Sequence, residues 1–168
     1  MTSALAVAMI AAVPAVAAGV AASPAAKGKV LILKPLVLTR ISDLDMGFVI
    51  PTGGGWVKLD PDTNSRTTSG AGVTLVTSHP GAAAQFAGAG SPGQLVVLTK
   101  SFPALLNGPA GDSVQFLAMT FDQADSPIRF ADLVTKTFTV AVGGTMFIRA
   151  NQTDGVYTGT FTVTATYF

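Results

Sequence analysis

Over residues 160–167 threonine alternates with apolar residues, placing Phe161, Val163, Ala165 and Tyr167 on one side of an extended chain and four threonines on the other. A period of two belongs to a β-strand with one face on a core and one in water. Shorter runs of the same kind occupy residues 36–41, 56–59, 73–77, 95–99, 114–121, 138–142 and 146–150. Gly, Pro, Asn and Asp divide them, and no stretch keeps a helical period. Seven or eight short strands at this spacing predict an all-β fold, an immunoglobulin-like antiparallel β-sandwich. Gly143-Gly144, lying between two runs, has the chemistry of a tight hairpin. Residues 53–55 and 88–93 read as loops, and residues 80–84 as either a helical turn or a flexible connection. Neither an internal repeat nor a dividing linker is visible.

Composition supports this picture. The 168 residues are 49% hydrophobic and 11% charged, which suits a single domain with a sizeable core and excludes a disordered chain. All acidic residues are Asp, and the helix former Glu is absent. The formal net charge of +1 is spread without a basic cluster, so no nucleic-acid groove or polybasic membrane patch is expected. Residues 4–22 carry no charge and are mostly Ala and Val, ahead of Ser23-Pro24-Ala25-Ala26-Lys27. They read as a secretory signal peptide over residues 1–22, cut between about 18 and 26 at small-residue sites such as Ala15-Val16-Ala17 or Val20-Ala21-Ala22. The mature protein is then expected outside the cytoplasm, without a membrane span. With no cysteine, it draws its stability from packing alone.

Asp154-Gly155-Val156-Tyr157 stands directly before the last strand, and its spacing resembles the tyrosine corner that opens strand F of an immunoglobulin-like sandwich. On that reading the sequence ends with strand F, and no strand G follows. A groove beside strand F then exposes core side chains and unpaired backbone groups, with Phe161, Val163, Ala165 and Tyr167 along its edge. The opposite end of the mature region carries a candidate to fill it. In the run 29–34, Val30, Leu31, Ile32 and Leu33 place large aliphatics on both faces, which does not suit a strand in water. Two or three such side chains filling a groove contribute roughly 1.5–3 kcal/mol each. That total is comparable with the roughly 5–15 kcal/mol stability of a whole domain. Pro35 disfavours a tight hairpin back into the chain's own groove. Donation to a neighbour makes a head-to-tail contact that propagates into a fibre. Three parts are therefore expected: the leader, a donor segment over residues 27–35, and a sandwich over residues 36–168.

Three motifs together, Leu44-Asp45-Met46-Gly47, Val142-Gly143-Gly144-Thr145 and the run from Gly155 through Tyr157 to Tyr167, resemble a proteobacterial secreted family called domain of unknown function 4402. That family is similar to the spore coat protein U domain and to archaic chaperone-usher pilins, which carry a Leu-Asp-Phe-Gly motif and a comparable terminal run. Met46 stands where those pilins have Phe, and the cysteine pair of many of them is missing. The resemblance implies an incomplete sandwich held by a periplasmic chaperone, then polymerised with identical subunits through an outer-membrane usher. It points to a fimbrial role in surface attachment or biofilm. The other reading from the residues is a self-complemented exported binding module, with residues 53–56 among its ligand-contacting loops.

Catalytic chemistry finds little support. His79 lies before Pro80 in a polar stretch and has no cysteine to pair with. Asp60-Pro61-Asp62-Thr63-Asn64 alternates oxygen ligands but lacks the glycine and closing acid of a calcium loop, and reads as a hairpin turn. Asp43 and Asp45 read as a solvated strand end rather than a carboxylate pair. Ser113 and Ser126 sit in no nucleophile motif, and Asn151-Gln152-Thr153 carries no weight as a glycosylation site. Trp56 and the Phe residues read as core rather than as a platform for sugars or bases. No catalytic residue, metal or cofactor is expected.

Overall fold

The computed structural model describes Pro24 and residues 27–168; the expected leader, with its cleavage sites at residues 15–17 and 20–22, lies outside the described residues. The chain divides into a unit ending at Ile32 and a compact unit, Leu33–Phe168. In the first unit residues 27–32 form no strand, and Val30, Leu31 and Ile32 are exposed.

The second unit is an all-β antiparallel sandwich. Its strands are β1 (Val37–Ser42), β2 (Val49–Pro51), β3 (Gly55–Leu59), β4 (Arg66–Ser69), β5 (Val73–Leu75), β6 (Ala84–Ala89), β7 (Leu95–Ser101), β8 (Leu105–Asn107), β9 (Ser113–Phe121), β10 (Ile128–Phe130), β11 (Thr137–Ile148) and β12 (Thr162–Tyr167). One layer is a seven-stranded sheet built on β11, and the other orders β10-β7-β12. β1-β6-β11-β9 against β7-β12 is the order of strands A, B, E and D against C and F of an immunoglobulin-like sandwich. The layers share a core in which Phe86, Phe116, Phe138, Val140 and Val142 of the first sheet meet Val96 and Leu98 of β7. A two-stranded sheet of β2 and β5 closes one end over Val57, Val73 and Ile148.

Two expectations are corrected. Gly143-Gly144 is no hairpin, because the runs 138–142 and 146–150 share one twelve-residue strand, β11, which takes the second run only as far as Ile148. Val142 pairs with Ala84 of β6 and with Phe121 of β9, whereas Gly144 pairs with Leu59 of β3 and with Met119 of β9. β6 and β3 therefore occupy successive stretches of one edge of β11. The glycines sit at this handover, where a Cβ on Gly143 would lie 2.2 Å from the Leu59 carbonyl oxygen. They permit close approach rather than a reversal. The second correction concerns residues 84–89, read as the end of a turn and the start of a loop. They form β6, a central strand between β1 and β11. Ala and Gly have low strand propensity, and burial of Ala84, Phe86 and Gly88 on the inner face overrides it.

After β9 the chain makes a left-handed turn over Asp122–Asp125, where Gln123, Ala124 and Asp125 have φ of 55°, 58° and 60°. Such backbone costs roughly 1–2 kcal/mol per non-glycine residue. Side chains hold it, because the Asp62 carboxylate accepts the Gln123 N–H at 2.7 Å and Asp125 accepts the Phe121 N–H at 2.7 Å. Ala124 is exposed. Ala124→Gly is expected to stabilise the fold by about 0.5–1 kcal/mol, the relieved strain exceeding the added disorder of the unfolded chain. A chemical denaturation midpoint that falls rather than rises would contradict this account of the turn.

Candidate functional site

On one flank of the sandwich both sheets end without a further strand. β12 pairs only with β7, and β1 only with β6, among the described residues. Hydrogen-bond alternation shows which groups are left over. The Phe168 N–H reaches Leu95 O of β7, so the even-numbered residues of β12 turn toward β7, and Val163, Ala165 and Tyr167 turn their N–H and C=O groups outward. On the other rim the Gly90 N–H reaches Lys136 O, so Gly88 faces β11 and Ala87 and Ala89 face β1. Val37 and Thr39 then bond to β6, and the backbone of Leu38 turns outward.

The residues with outward backbones also direct their side chains to the core. Phe161, Val163, Ala165 and Tyr167, with Leu36 and Leu38 opposite, pack against the core cluster but stay half-buried. The inward residues of the neighbouring strand, Val96 and Leu98, are 0% and 2% exposed. The core is thus less covered along this flank than beneath β7, and on both rims. Leu36, Leu38 and the four residues of the terminal run line a slot whose walls are apolar and whose rims carry free hydrogen-bonding groups.

Tyr167 closes one end. Its hydroxyl accepts the Ser91 N–H at 2.6 Å and donates to the Lys34 carbonyl at 2.9 Å, while the Lys34 N–H bonds Ser91 Oγ at 2.7 Å. Near the opposite end of β12, Phe161 meets Phe86 edge-on, with ring centroids 6.2 Å apart.

Tyr157 stands before β12, its hydroxyl 2.6 Å from the Thr153 carbonyl four residues upstream, the bond a tyrosine corner makes. The ring covers Gly108, where a Cβ would come within 2.2 Å of it. The phenol oxygen also accepts from Gln152 Nε2 at 3.0 Å. Beneath it the Asp112 carboxylate accepts the N–H groups of Thr153 and Ser113, Gln152 Nε2, and an Arg149 N–H at 2.5 Å. The N–H groups of Thr153 and Ser113, in that order, hold the Asp112 carboxyl well below the usual carboxylate range. This knot fixes the loop that delivers the chain to β12. Asp112 went unnoticed in the sequence, where Gly111-Asp112-Ser113 looks like an ordinary turn.

The other residues singled out are scattered. His79 stacks on Phe48 with ring centroids 4.0 Å apart. Asp43 bonds Arg40, while Asp45 accepts the N–H of Gly47, so the two do not form a carboxylate pair. Gly47 has φ of +69° and abuts the His79 carbonyl, which accounts for the glycine in Leu44-Asp45-Met46-Gly47. Asp60 turns back on the N–H groups of Asp62 and Thr63 between β3 and β4. Among the described residues no His, Asp, Glu or Cys cluster could hold a metal. Trp56 corrects an expectation: it is 40% exposed on the outer face of β3, opposite Phe147, and is not core. Phe86, Phe116, Phe121 and Phe138 are core, while Phe48, Phe130 and Phe168 are exposed. No described helix is long and apolar enough to cross a membrane.

Residues 36–167 match the model of a family described as a domain of unknown function (DUF4402). No curated protein and no solved structure matches the chain.

Proposed function

The chain belongs to the DUF4402 family over residues 36–167, and from that premise we propose that it is a structural subunit of an extracellular fibre, joined to identical subunits by strand addition. The supporting observation is the flank between β1 and β12, where outward backbone groups and half-buried apolar side chains coincide on the same residues. An extended segment satisfies both deficits together, its backbone pairing with Val163, Ala165 and Tyr167 and its alternate side chains covering the core. Residues 29–34 supply such a segment, because Val30 to Leu33 offer an apolar face in either register. A neighbouring subunit is the favoured recipient, since Pro35 obstructs a tight return.

The likeness of the Leu44–Gly47 motif and the terminal run to those of archaic pilins extends this reading. On that basis export follows signal cleavage, a periplasmic chaperone covers the slot, and an outer-membrane usher directs assembly into a fimbrium that serves attachment or biofilm. The reading assigns no reaction and no cofactor.

Deleting residues 27–34 from the full chain tests the proposal. The unaltered protein is expected to give ladders that resist detergent until heated. The deletion variant should give none, yet bind a synthetic peptide of residues 27–35 at one per subunit. Ladders from the deletion variant, or a monomeric parent, would refute the fibre. Loss of the fold on deletion, with a monomeric parent, would identify a self-complemented binding module instead.

A further inference from the structure

The flank opposite the slot is also incomplete, but three of its outward carbonyls are occupied. β10 is three residues long, and β9 joins β11 only from Val142 onward, so Thr137–Ala141 has no strand on that side. Thr137 and Thr139 turn their carbonyls to this open side, as the bond from the Gly90 N–H to Lys136 O requires. On β10 the bonds of Pro127 O with Leu98 N and of Ala131 O with Gly93 N leave the backbone of Ile128 and Phe130 facing outward. Between the two edges lies a cleft of about 540 Å³, lined in part by Phe138, Thr139, Ile128 and Phe130.

Arg129 spans this gap. Flanked by Ile128 and Phe130, which are 42% and 63% exposed, its own side chain turns inward and the residue is 4% exposed. Nε donates to Thr139 O at 3.2 Å, and one terminal nitrogen donates to Ile128 O at 2.8 Å and Ser126 O at 2.9 Å. The other terminal nitrogen pairs with Asp122, at the start of the left-handed turn. Asp132 N–H takes Thr137 O at 3.0 Å, and Ser126 Oγ takes the Ile128 N–H at 3.3 Å. The outward carbonyls of Thr137, Thr139 and Ile128, and the Ile128 N–H, are thus engaged within the chain. Val163, Ala165 and Tyr167 of β12 have no such cover among the described residues.

We propose that Arg129 guards the β10–β11 flank against strand addition, its planar fork capping carbonyls on both sheets. An exposed, apolar edge strand is otherwise a template for association with another chain. The guard stands on the hydrogen bonds above. Its consequence, that growth is confined to the β12 flank and the polymer stays unbranched, rests on the fibre reading.

Two full-length variants test it. Arg129→Met with Asp122→Asn removes the caps without leaving a half-buried carboxylate unpaired, and Arg129→Lys keeps the charge but loses the planar fork. Each is checked for folding by circular dichroism and a cooperative melt, then followed by sedimentation velocity over a concentration series. A folded variant is expected to self-associate about tenfold more tightly than the parent, and adding Phe130→Lys should reverse the gain. Branched or bundled fibres by electron microscopy would accompany it. A monomeric parent would remove the fibre reading while the variants' new association still reports the guard. Folded variants that sediment as the parent does would overturn the guard, and so would failure of both to fold, since Arg129 would then serve stability alone.

Discussion

Gly88→Val is expected to destabilise the fold by about 3–5 kcal/mol, a large fraction of the roughly 5–15 kcal/mol that holds a domain together. Gly88 lies in a row across the first sheet, with Leu38 of β1 on one side and Phe138 of β11 on the other. The Phe138 ring lies over it, and a Cβ there would sit 2.0 Å from Cζ and 2.4 Å from both Cε atoms. Any side chain at residue 88 must expel the ring from the core, forfeiting roughly 1.5–3 kcal/mol of burial. Overpacking adds roughly 1–3 kcal/mol. Because Leu38 lines the slot, the damage should reach the strand-accepting flank as well. Urea denaturation measures the cost, and a double-mutant cycle with Phe138→Leu isolates its cause. Trimming the ring should recover at least about 1 kcal/mol of the loss. Strictly additive costs would show that the ring is not what Gly88 accommodates.

Asp112→Asn should weaken the protein near neutral pH, and its deficit should shrink on acidification. The sign follows from linkage. The carboxyl titrates well below its ordinary value in the folded chain, because N–H groups of Thr153 and Ser113 bind the ionised form. Its stabilising effect is therefore complete above the ordinary aspartate value of 3.8 and is lost progressively as pH falls below it. Thermal melts of parent and variant should differ at pH 7 and converge below about pH 4. Asparagine keeps the shape but replaces one acceptor oxygen with a donor, which opposes Gln152 Nε2 or the Thr153 N–H. A deficit that is constant with pH would show that the misplaced donor rather than the lost charge matters at this position.

Strand identity was legible where side chains alternate in size and polarity. The terminal run carries apolar groups at every second position, residues 114–121 are apolar-rich with Val114 and Phe116, then Met119 and Phe121, turned inward, and both are strands in the structure. β6 was opaque because its sequence, Ala84 to Ala89, is mostly Ala and Gly around Gln85 and Phe86, and only the ring supplied by Phe138 makes residue 88 part of the core. Gly143-Gly144 misled because the same residue type serves a reversal and a close approach, and the choice depends on Leu59, more than 80 positions away. At the candidate site the inward set Phe161, Val163, Ala165 and Tyr167 followed from periodicity. Leu36 and Leu38 did not enter, because a second rim is set by which strands become neighbours. Arg129 left a trace that went unread: in Ile128-Arg129-Phe130 the charge occupies the alternate position, so an outward arginine would bury two apolar neighbours at an edge.

β11 also dictates an order of events during folding. Every strand it binds, β3, β6 and β9, comes earlier in the chain, and none of those three pairs directly with another. Until residues 137–148 arrive, the first layer consists of separate local or distant pairs such as β3–β4 and β1–β6, with nothing to join them. Contacts of this separation, from Gly55 to Ile148, close slowly because the intervening loop must first surrender its freedom. The sheet therefore consolidates late and in one step, its C-terminal third recruiting segments that have been waiting since they were made.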